Sequence, residues 1–550
     1  MTDICFKQIS SLEKVFVDKM PECRVLESAS AMKGEEYSYQ IAFSKPITEE
    51  FSPKTEFEVK VNSVLSPYIK VRKVMHIPSE LCAYQWSNDD GYYKKDSGLF
   101  PDALLPLEEN KIFVTPHSWH SLWVNVYIPK DFSAGEYDIE IVFESEEELQ
   151  KTNLKLEVMD LELKKQELIF TQWFHGDCIA SVHNVDVFSE EHWDLLRKYI
   201  KTAADNGINM ILTPIFTPPL DTQIGGERPT IQLVDCNFEN GKYAFSFDKL
   251  TRWIDMCLEC GIEYFEISHL FTQWGAKFAP KIVVLENGEY VKKFGWHTNS
   301  DSDEYVYFLK EFLPTLTGYL KNKGISNKVY FHISDEPNNE HIESYCKAQN
   351  IVIPFLEGFK VIDALSNVEF YKNGLVKIPV PSNSHIKDFL ECDIEERWTY
   401  YCCAQSKNVS NRFFAMPSTR NRIIGAQFYK FGIKGFLQWG YNFYYSQYSK
   451  EVINPYLTTD AGNAFPSGDA FSVYPYKNGV AESIRLKVFK NALQDMRAMQ
   501  MLEEKKGRDF VVRIIEETCE CELKFDQFPF WGDYILDYRE RINQELKNCI

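Results

Sequence analysis

The sequence predicts an α/β protein built on a (β/α)8 TIM-type barrel and preceded by an antiparallel β-sandwich. Three observations carry that prediction. Up to about residue 163, apolar positions recur every second residue between Gly, Pro and acidic turns, the pattern of half-buried strands. Beyond Lys164-Lys165-Gln166, short apolar runs alternate with helix-period segments, the pattern of parallel β/α units. One of those runs, Val329-Tyr-Phe-His-Ile-Ser-Asp-Glu-Pro337, reads as a buried strand that ends directly in two carboxylates.

In the leading region Phe57, Val59 and Val61 alternate with Glu58 and Lys60, and Leu122, Val124, Val126 and Ile128 with Trp123, Asn125 and Tyr127. Tyr137, Ile139, Ile141 and Phe143 follow, then Leu154, Leu156 and Val158 after an acidic turn. Eight later runs qualify as barrel strands: 168–173, 210–215, 264–270, 329–334, 376–381, 397–402, 434–439 and 471–474. Helices are expected over 190–206, 247–260 (stopped by Gly261), 338–365 (kinked at Pro354) and 418–431. A helix over 482–505 closes the barrel, and the tail ends in a helix over 534–546. The expected division is therefore a sandwich domain (1–163), a catalytic barrel (164–505) and a C-terminal extension packed on the barrel (506–550).

Composition narrows the function. The net charge is −20, whereas nucleic acids and anionic membrane surfaces are held by basic patches. No run of eighteen apolar residues is present to span a bilayer. The opening residues show no basic segment followed by an apolar run, so the expected location is cytoplasmic, with the fourteen cysteines reduced. Cys257 and Cys260 form a lone C-x-x-C with no second pair at ligand spacing, so neither metal nor cofactor is expected.

The acid pair sets the chemistry. Ionised carboxylates at the end of a buried strand are costly without partners. An ordinary helix start would also place Asp335 as N-cap and Glu336 in the first turn. In a parallel barrel, however, the carboxyl ends of the strands carry the active site. The other predicted strand ends are rich in rings: His175 after the first, His269 and Trp274 after the third, Trp398 and Tyr401 on the sixth, and Trp439, Tyr441 and Asn442 after the seventh. Large aromatic faces beside carboxylates suit a sugar, and glycoside hydrolysis needs a protonated acid at the leaving oxygen. Adjacent residues on a regular strand face opposite ways. Asp335 and Glu336 can therefore converge only where the strand breaks, and such a pair fits substrate-assisted hydrolysis of a 2-acetamido sugar better than two carboxylates flanking a bond.

The stretch Phe331-His-Ile-Ser-Asp-Glu-Pro337 resembles glycoside hydrolase family 123, the β-N-acetylgalactosaminidases. So do Asn421-Arg-Ile-Ile-Gly-Ala-Gln, Gly435-Phe-Leu-Gln-Trp-Gly-Tyr-Asn-Phe-Tyr444, Phe465-Pro-Ser-Gly-Asp-Ala-Phe and, in the leading region, Phe100-Pro-Asp-Ala-Leu-Leu-Pro106. The resemblance implies a retaining exo-glycosidase acting on a glycan or glycolipid, with Asp335 as acetamido stabiliser and Glu336 as acid/base. It also implies a tyrosine on the acetamido oxygen (Tyr401 or Tyr441) and Trp439 as sugar platform. Two alternatives stand beside it: hydrolysis of another β-linked 2-acetamido or modified sugar, and a non-catalytic carbohydrate-binding barrel. No separate nucleophile stands out among Asp177, Asp221 and Asp469.

Overall fold

The computed structural model describes residues 4–46, 54–273, 275–336, 340 and 342–549. The leading region forms two sheets. One is seven-stranded and antiparallel, with Glu36–Ser44, His120–Tyr127, Ile69–Ser79 and Gly98–Pro106 at its centre. The other has five strands; Ser28–Lys33 runs parallel to Leu149–Glu162 and the rest are antiparallel. Ile41, Phe43, Val124 and Val126 from the first sheet and Phe57, Ile139, Ile141, Leu154 and Leu156 from the second form one buried core. These are the period-two positions of the sequence.

Eight parallel strands follow, in cyclic order: Ile169–Gln172, Met210–Thr213, Tyr264–Ile267, Val329–Phe331, Lys360–Ala364, Ile378–Val380, Trp398–Tyr400 and Gly435–Gln438. The sheet comes close to closing where Tyr400 N donates to Pro381 O (3.0 Å) and Asn383 N to Tyr400 O (2.8 Å). The result is a nearly closed barrel whose strands are mostly three to five residues long and buried.

Two expectations are corrected here. The helix expected over 338–365 is only Ile342–Val352, followed by a single tight turn at Ile353–Phe355. Pro354 cannot continue the helical hydrogen bonds, Gly358 takes φ +85°, and Lys360–Ala364 becomes the fifth barrel strand. The runs 376–381, 397–402 and 434–439 therefore supply the sixth, seventh and eighth strands. The run 471–474 is not a barrel strand. Val473–Tyr476 turns back on Gly479–Ser483, whose end pairs with Ala103 and Leu104, so this hairpin extends the leading seven-stranded sheet.

The helices follow their caps. Glu190–Asp205 starts where Ser189 Oγ accepts from His192 N, and it buries Trp193, Leu196, Ile200 and Ala203. Asp248–Cys260 stops at Gly261, φ +104°. Asp303–Asn322, Ile484–Lys506, Arg508–Cys519 and Tyr534–Lys547 complete the larger ones. A four-stranded sheet (235–246 and 282–294) grows from the loops that follow the second and third barrel strands. Among the described residues no helix is long and apolar enough to cross a membrane.

The barrel interior is tightly committed. Gly435 pairs across the seventh and eighth strands with Trp398, and a Cβ on Gly435 would land inside the indole. Gly435→Ala is expected to cost about 1–3 kcal/mol through overpacking, measured as a lower thermal midpoint; an unchanged midpoint would show that the indole can move.

Candidate active site

At the carboxyl ends of the barrel strands lies a cavity of about 130 Å³. The fourth strand contributes Asp335 and Glu336, the seventh Tyr400, the eighth Leu437 and Trp439, and the fifth Ala364. Trp173, Leu220, Asp221, Gln273, Cys402, Cys403 and Phe465 from the intervening loops complete its wall.

Both carboxylates reach the same cavity because the strand ends just before them. Glu336 takes φ +44°, a left-handed conformation rarely adopted by a side chain of this size, so the alternation of faces is interrupted between Asp335 and Glu336. Such backbone costs on the order of 1–3 kcal/mol and persists only where neighbours enforce it. Tyr400 supplies one restraint, its hydroxyl donating to Glu336 Oε1 at 2.6 Å. Asp363 supplies another, its Oδ1 accepting from the Ile333 and Ser334 N–H groups at 3.0 and 3.3 Å.

Beneath the pair is a buried charge network. His332 Nε2 bonds Glu266 Oε1, and its Nδ1 stands 3.6 Å from Asp363 Oδ1, an ion-pair distance; all three side chains are fully buried. Glu266 also accepts from Trp173 Nε1 (2.7 Å) and Thr171 Oγ1 (2.8 Å), and Asp363 from Tyr345 Oη. Burial works against charge on the imidazole, but Asp363 and Glu266 outweigh it and hold the pKa of His332 up to about 10. His269 stacks on His332 with centroids 4.4 Å apart. Burial first, and then the neighbouring imidazolium, push its pKa well down, so it is a neutral ring.

Asp335 sits above this network, open to solvent only in part. Burial, then the charge of Glu336, raise its pKa well above the carboxylate range, against the pull of His332. Asp335 therefore holds its proton more tightly than an ordinary aspartate does. Two further acids stand close by, Asp221 in the cavity wall and Asp469 buried behind Trp439. Burial pushes Asp221 up to about 6 despite the Tyr448 N–H it accepts (3.1 Å). It pushes Asp469 up to about 7 despite Arg412 and the Trp439 Nε1–H (2.8 Å).

Of the ring and amide residues picked out by the sequence, Trp439 lines the cavity, its indole fixed by Asp469. The others serve elsewhere. His175 Nε2 bonds Trp439 O (3.0 Å) and Nδ1 meets Arg228 (3.1 Å), inside the buried Arg228–Asp177 pair; burial and then Arg228 push its pKa down to about 3. Asn442 bonds the backbone of His175, and the Tyr441 hydroxyl bonds Tyr199 O (2.9 Å). Trp398 is buried in the barrel interior, donating to Glu396 (2.9 Å), and Tyr401 packs outside the barrel against Phe436. Trp274 and Pro337 lie outside the described residues. The tyrosine at the cavity is Tyr400, neither of the two expected; it is one residue from Tyr401 and therefore on the opposite face of the strand. Glu266 and Asp363 were missed as well, although a single acid inside an apolar strand (Tyr264-Phe-Glu-Ile and Lys360-Val-Ile-Asp-Ala) signals a buried partner. Among the described residues no group of His, Cys, Asp and Glu is disposed to hold a metal.

An acid dyad at the mouth of a parallel barrel, on a charged support and beside an indole, is the equipment of a glycoside hydrolase. The family comparison agrees. The catalytic-domain model of glycoside hydrolase 123 matches residues 173–502, more than half of the chain, so the protein belongs to glycoside hydrolase family 123. Among solved structures it is similar to a family 123 glycoside hydrolase from Clostridium perfringens, described in terms of glycolipid glycan hydrolysis. The TM-score is 0.73 at 16% identity, covering 100% of this chain and 97% of that one. Bacteroides uniformis β-glucuronidase 3 aligns over 90% of this chain and 52% of its own, at 11% identity and a TM-score of 0.30. No curated protein matches the sequence.

The electrostatics give two predictions. Folding raises the pKa of Asp335, so the folded state holds that proton more tightly than the unfolded chain does. The associated stability is present below about pH 3.9, the ordinary Asp value, and is lost as pH rises through the folded value. Asp335→Asn replaces a carboxyl whose burial is costly at neutral pH with a neutral amide and should raise the thermal midpoint by roughly 1–2 °C while abolishing turnover. A lower midpoint would show that the carboxyl stabilises the fold. For His332 the stability gained by holding the proton is complete below about pH 6.5 and is lost as pH rises towards its folded value of about 10. His332→Gln leaves two buried carboxylates without their cation and should cost on the order of 3–5 kcal/mol. It should also flatten the decline in stability between those pH values; denaturant titrations at pH 6 and pH 9.5 measure both effects.

Proposed function

We propose that the protein is a retaining exo-glycosidase that removes terminal β-linked N-acetylgalactosamine, using the acetamido group of the substrate as nucleophile. The observation that carries this reading is the placement of two neighbouring carboxylates in one small cavity. In the reaction Glu336 protonates the glycosidic oxygen while Asp335 accepts the acetamido N–H and orients the carbonyl oxygen towards the anomeric carbon. An oxazolinium intermediate forms as the leaving group departs. Glu336, now a carboxylate, then takes the proton of the incoming water. In the resting dyad the raised pKa belongs to Asp335. The acetamido N–H, a donor, needs a bare carboxylate there, so substrate binding favours loss of that proton from Asp335. Tyr400 is the tyrosine within reach of the sugar, and Trp439 offers the ring face. The glycolipid glycans of the Clostridium relative support a glycan or glycolipid substrate here, on a TIM-type barrel behind a leading sandwich.

One observation favours a second reading. Asp221 lines the same cavity and could act as a separate nucleophile on a sugar without an acetamido group. Nitrophenyl β-N-acetylgalactosaminide, β-N-acetylglucosaminide and β-galactoside, assayed in parallel, separate the two. Cleavage of the acetamido sugars alone, with Glu336→Gln slower by roughly 10²–10⁴-fold and Asp221→Asn still active, is the expected result. Cleavage of the plain galactoside, lost in Asp221→Asn, would overturn the substrate-assisted mechanism.

A further inference from the structure

We infer that Trp86, backed by Tyr84, forms a second sugar subsite: a platform contributed by the leading seven-stranded sheet for the pyranose that follows the one being cleaved. This deepens the function proposed above and rests on it.

The cavity at the strand ends holds about 130 Å³, well below the roughly 300–1,000 Å³ of a pocket that encloses a drug-sized ligand. It encloses one sugar unit at most. The remainder of a glycan must lie over the rim, where its orientation depends on what the rim presents.

One side of that rim is not made by the barrel. Residues 80–97 connect Ile69–Ser79 to Gly98–Pro106 and cross from the sheet to the barrel loops. Leu81 N donates to Asp460 (3.0 Å), Ser87 Oγ meets Ser406 Oγ (2.8 Å), and the Tyr92 hydroxyl donates to Ser406 O (2.5 Å). Asp89 pairs with the buried Arg420 at 2.8 Å. Tyr84 reaches deepest: its hydroxyl donates to Ala464 O (2.9 Å), beside the cavity residue Phe465, and it lies against Cys403 of the cavity wall.

Trp86 stacks on the outer face of Tyr84, centroids 4.8 Å apart and planes 18° from parallel. It therefore stands one aromatic ring out from the wall of the cavity. It is also 81% exposed. An indole left so open gains little from burial, yet here it is held by stacking on a tyrosine that is itself tied to the barrel. The outer face of the indole is free, flat and preorganised, which suits the C–H face of a pyranose and lowers the ordering cost of binding it.

The test uses the full-length protein and two substrates that share the cleaved sugar. N-acetylgalactosaminyl fluoride reaches only the first cavity; an oligosaccharide ending in β-linked N-acetylgalactosamine also covers the rim. Trp86→Ala should lower kcat/KM for the oligosaccharide at least tenfold, chiefly through KM, and leave the fluoride within twofold. Equal effects on both substrates, or none on either, would overturn the platform. Oligosaccharide affinity is measured as well, by calorimetry on Glu336→Gln with and without Trp86→Ala; an unchanged Kd would also overturn it. Failure of the parent to cleave the fluoride would refute the proposed hydrolysis instead, and a glycan array comparing parent with Trp86→Ala would then decide the platform by loss or retention of bound glycans.

Discussion

The site depends on one buried ion triad, Glu266–His332–Asp363. Three fully buried ionisable groups would be a liability singly, since each would meet a desolvation penalty of several kcal/mol. Together they satisfy one another, and the hydrogen bonds from Trp173, Thr171, Tyr345 and two backbone amides use most of the remaining acceptor capacity. The triad spans the third, fourth and fifth strands, so it fixes their relative height where the fourth strand runs out. The carboxyl pair is held at that height. A neutral polar network could tie the strands equally well. It would not place a positive charge beneath Asp335, where it offsets part of the repulsion from Glu336.

The strain at Glu336 belongs to the same arrangement. A regular strand would turn one of the two acids into the packing around the barrel. The left-handed residue turns it back to the cavity, where the Tyr400 hydroxyl holds it, while the Ile333 and Ser334 amides tie the strand end to Asp363. Stability is spent locally to bring two like charges together, a common trade at active sites.

How much of this the sequence discloses follows from what each residue must do. The acid pair is legible because a buried run seldom ends in two charges unless the fold has a use for them there. The leading strands are legible because one face of each is wet. The fifth barrel strand is hidden: Lys360–Ala364 is short and buried, and it follows a helix without a clear polar stop, so only Pro354 and Gly358 mark the break. The reverse error occurs at 471–474, where a buried β-rich run looks like a barrel strand but pairs with the leading sheet. Tyr400 and Tyr401 show the limit of such reading. A one-residue shift of register exchanges the two faces, and two adjacent tyrosines give the sequence no means of choosing.

The leading sheet is joined to the chemistry by covalent neighbours and buried polar contacts. Asp102, in the strand Gly98–Pro106, binds Arg485 through both carboxylate oxygens at 2.9 Å. Arg485 in turn donates to the carbonyls of Gly468 (2.7 Å) and Phe471 (2.8 Å). Between those carbonyls lies Asp469, which holds the Trp439 indole at the cavity wall. Gly468 itself takes φ +103° and is crowded by Arg412 and Phe414, so this turn cannot relax by accepting a larger residue. Every member of the chain from Asp102 to Asp469 is buried, and a displacement at one end would leave a charged group without its partner rather than fade with distance. The sheet and the barrel are therefore coupled mechanically at the sugar-binding wall, and the hairpin 473–483, which returns from the barrel to extend the leading sheet, makes that coupling continuous along the backbone.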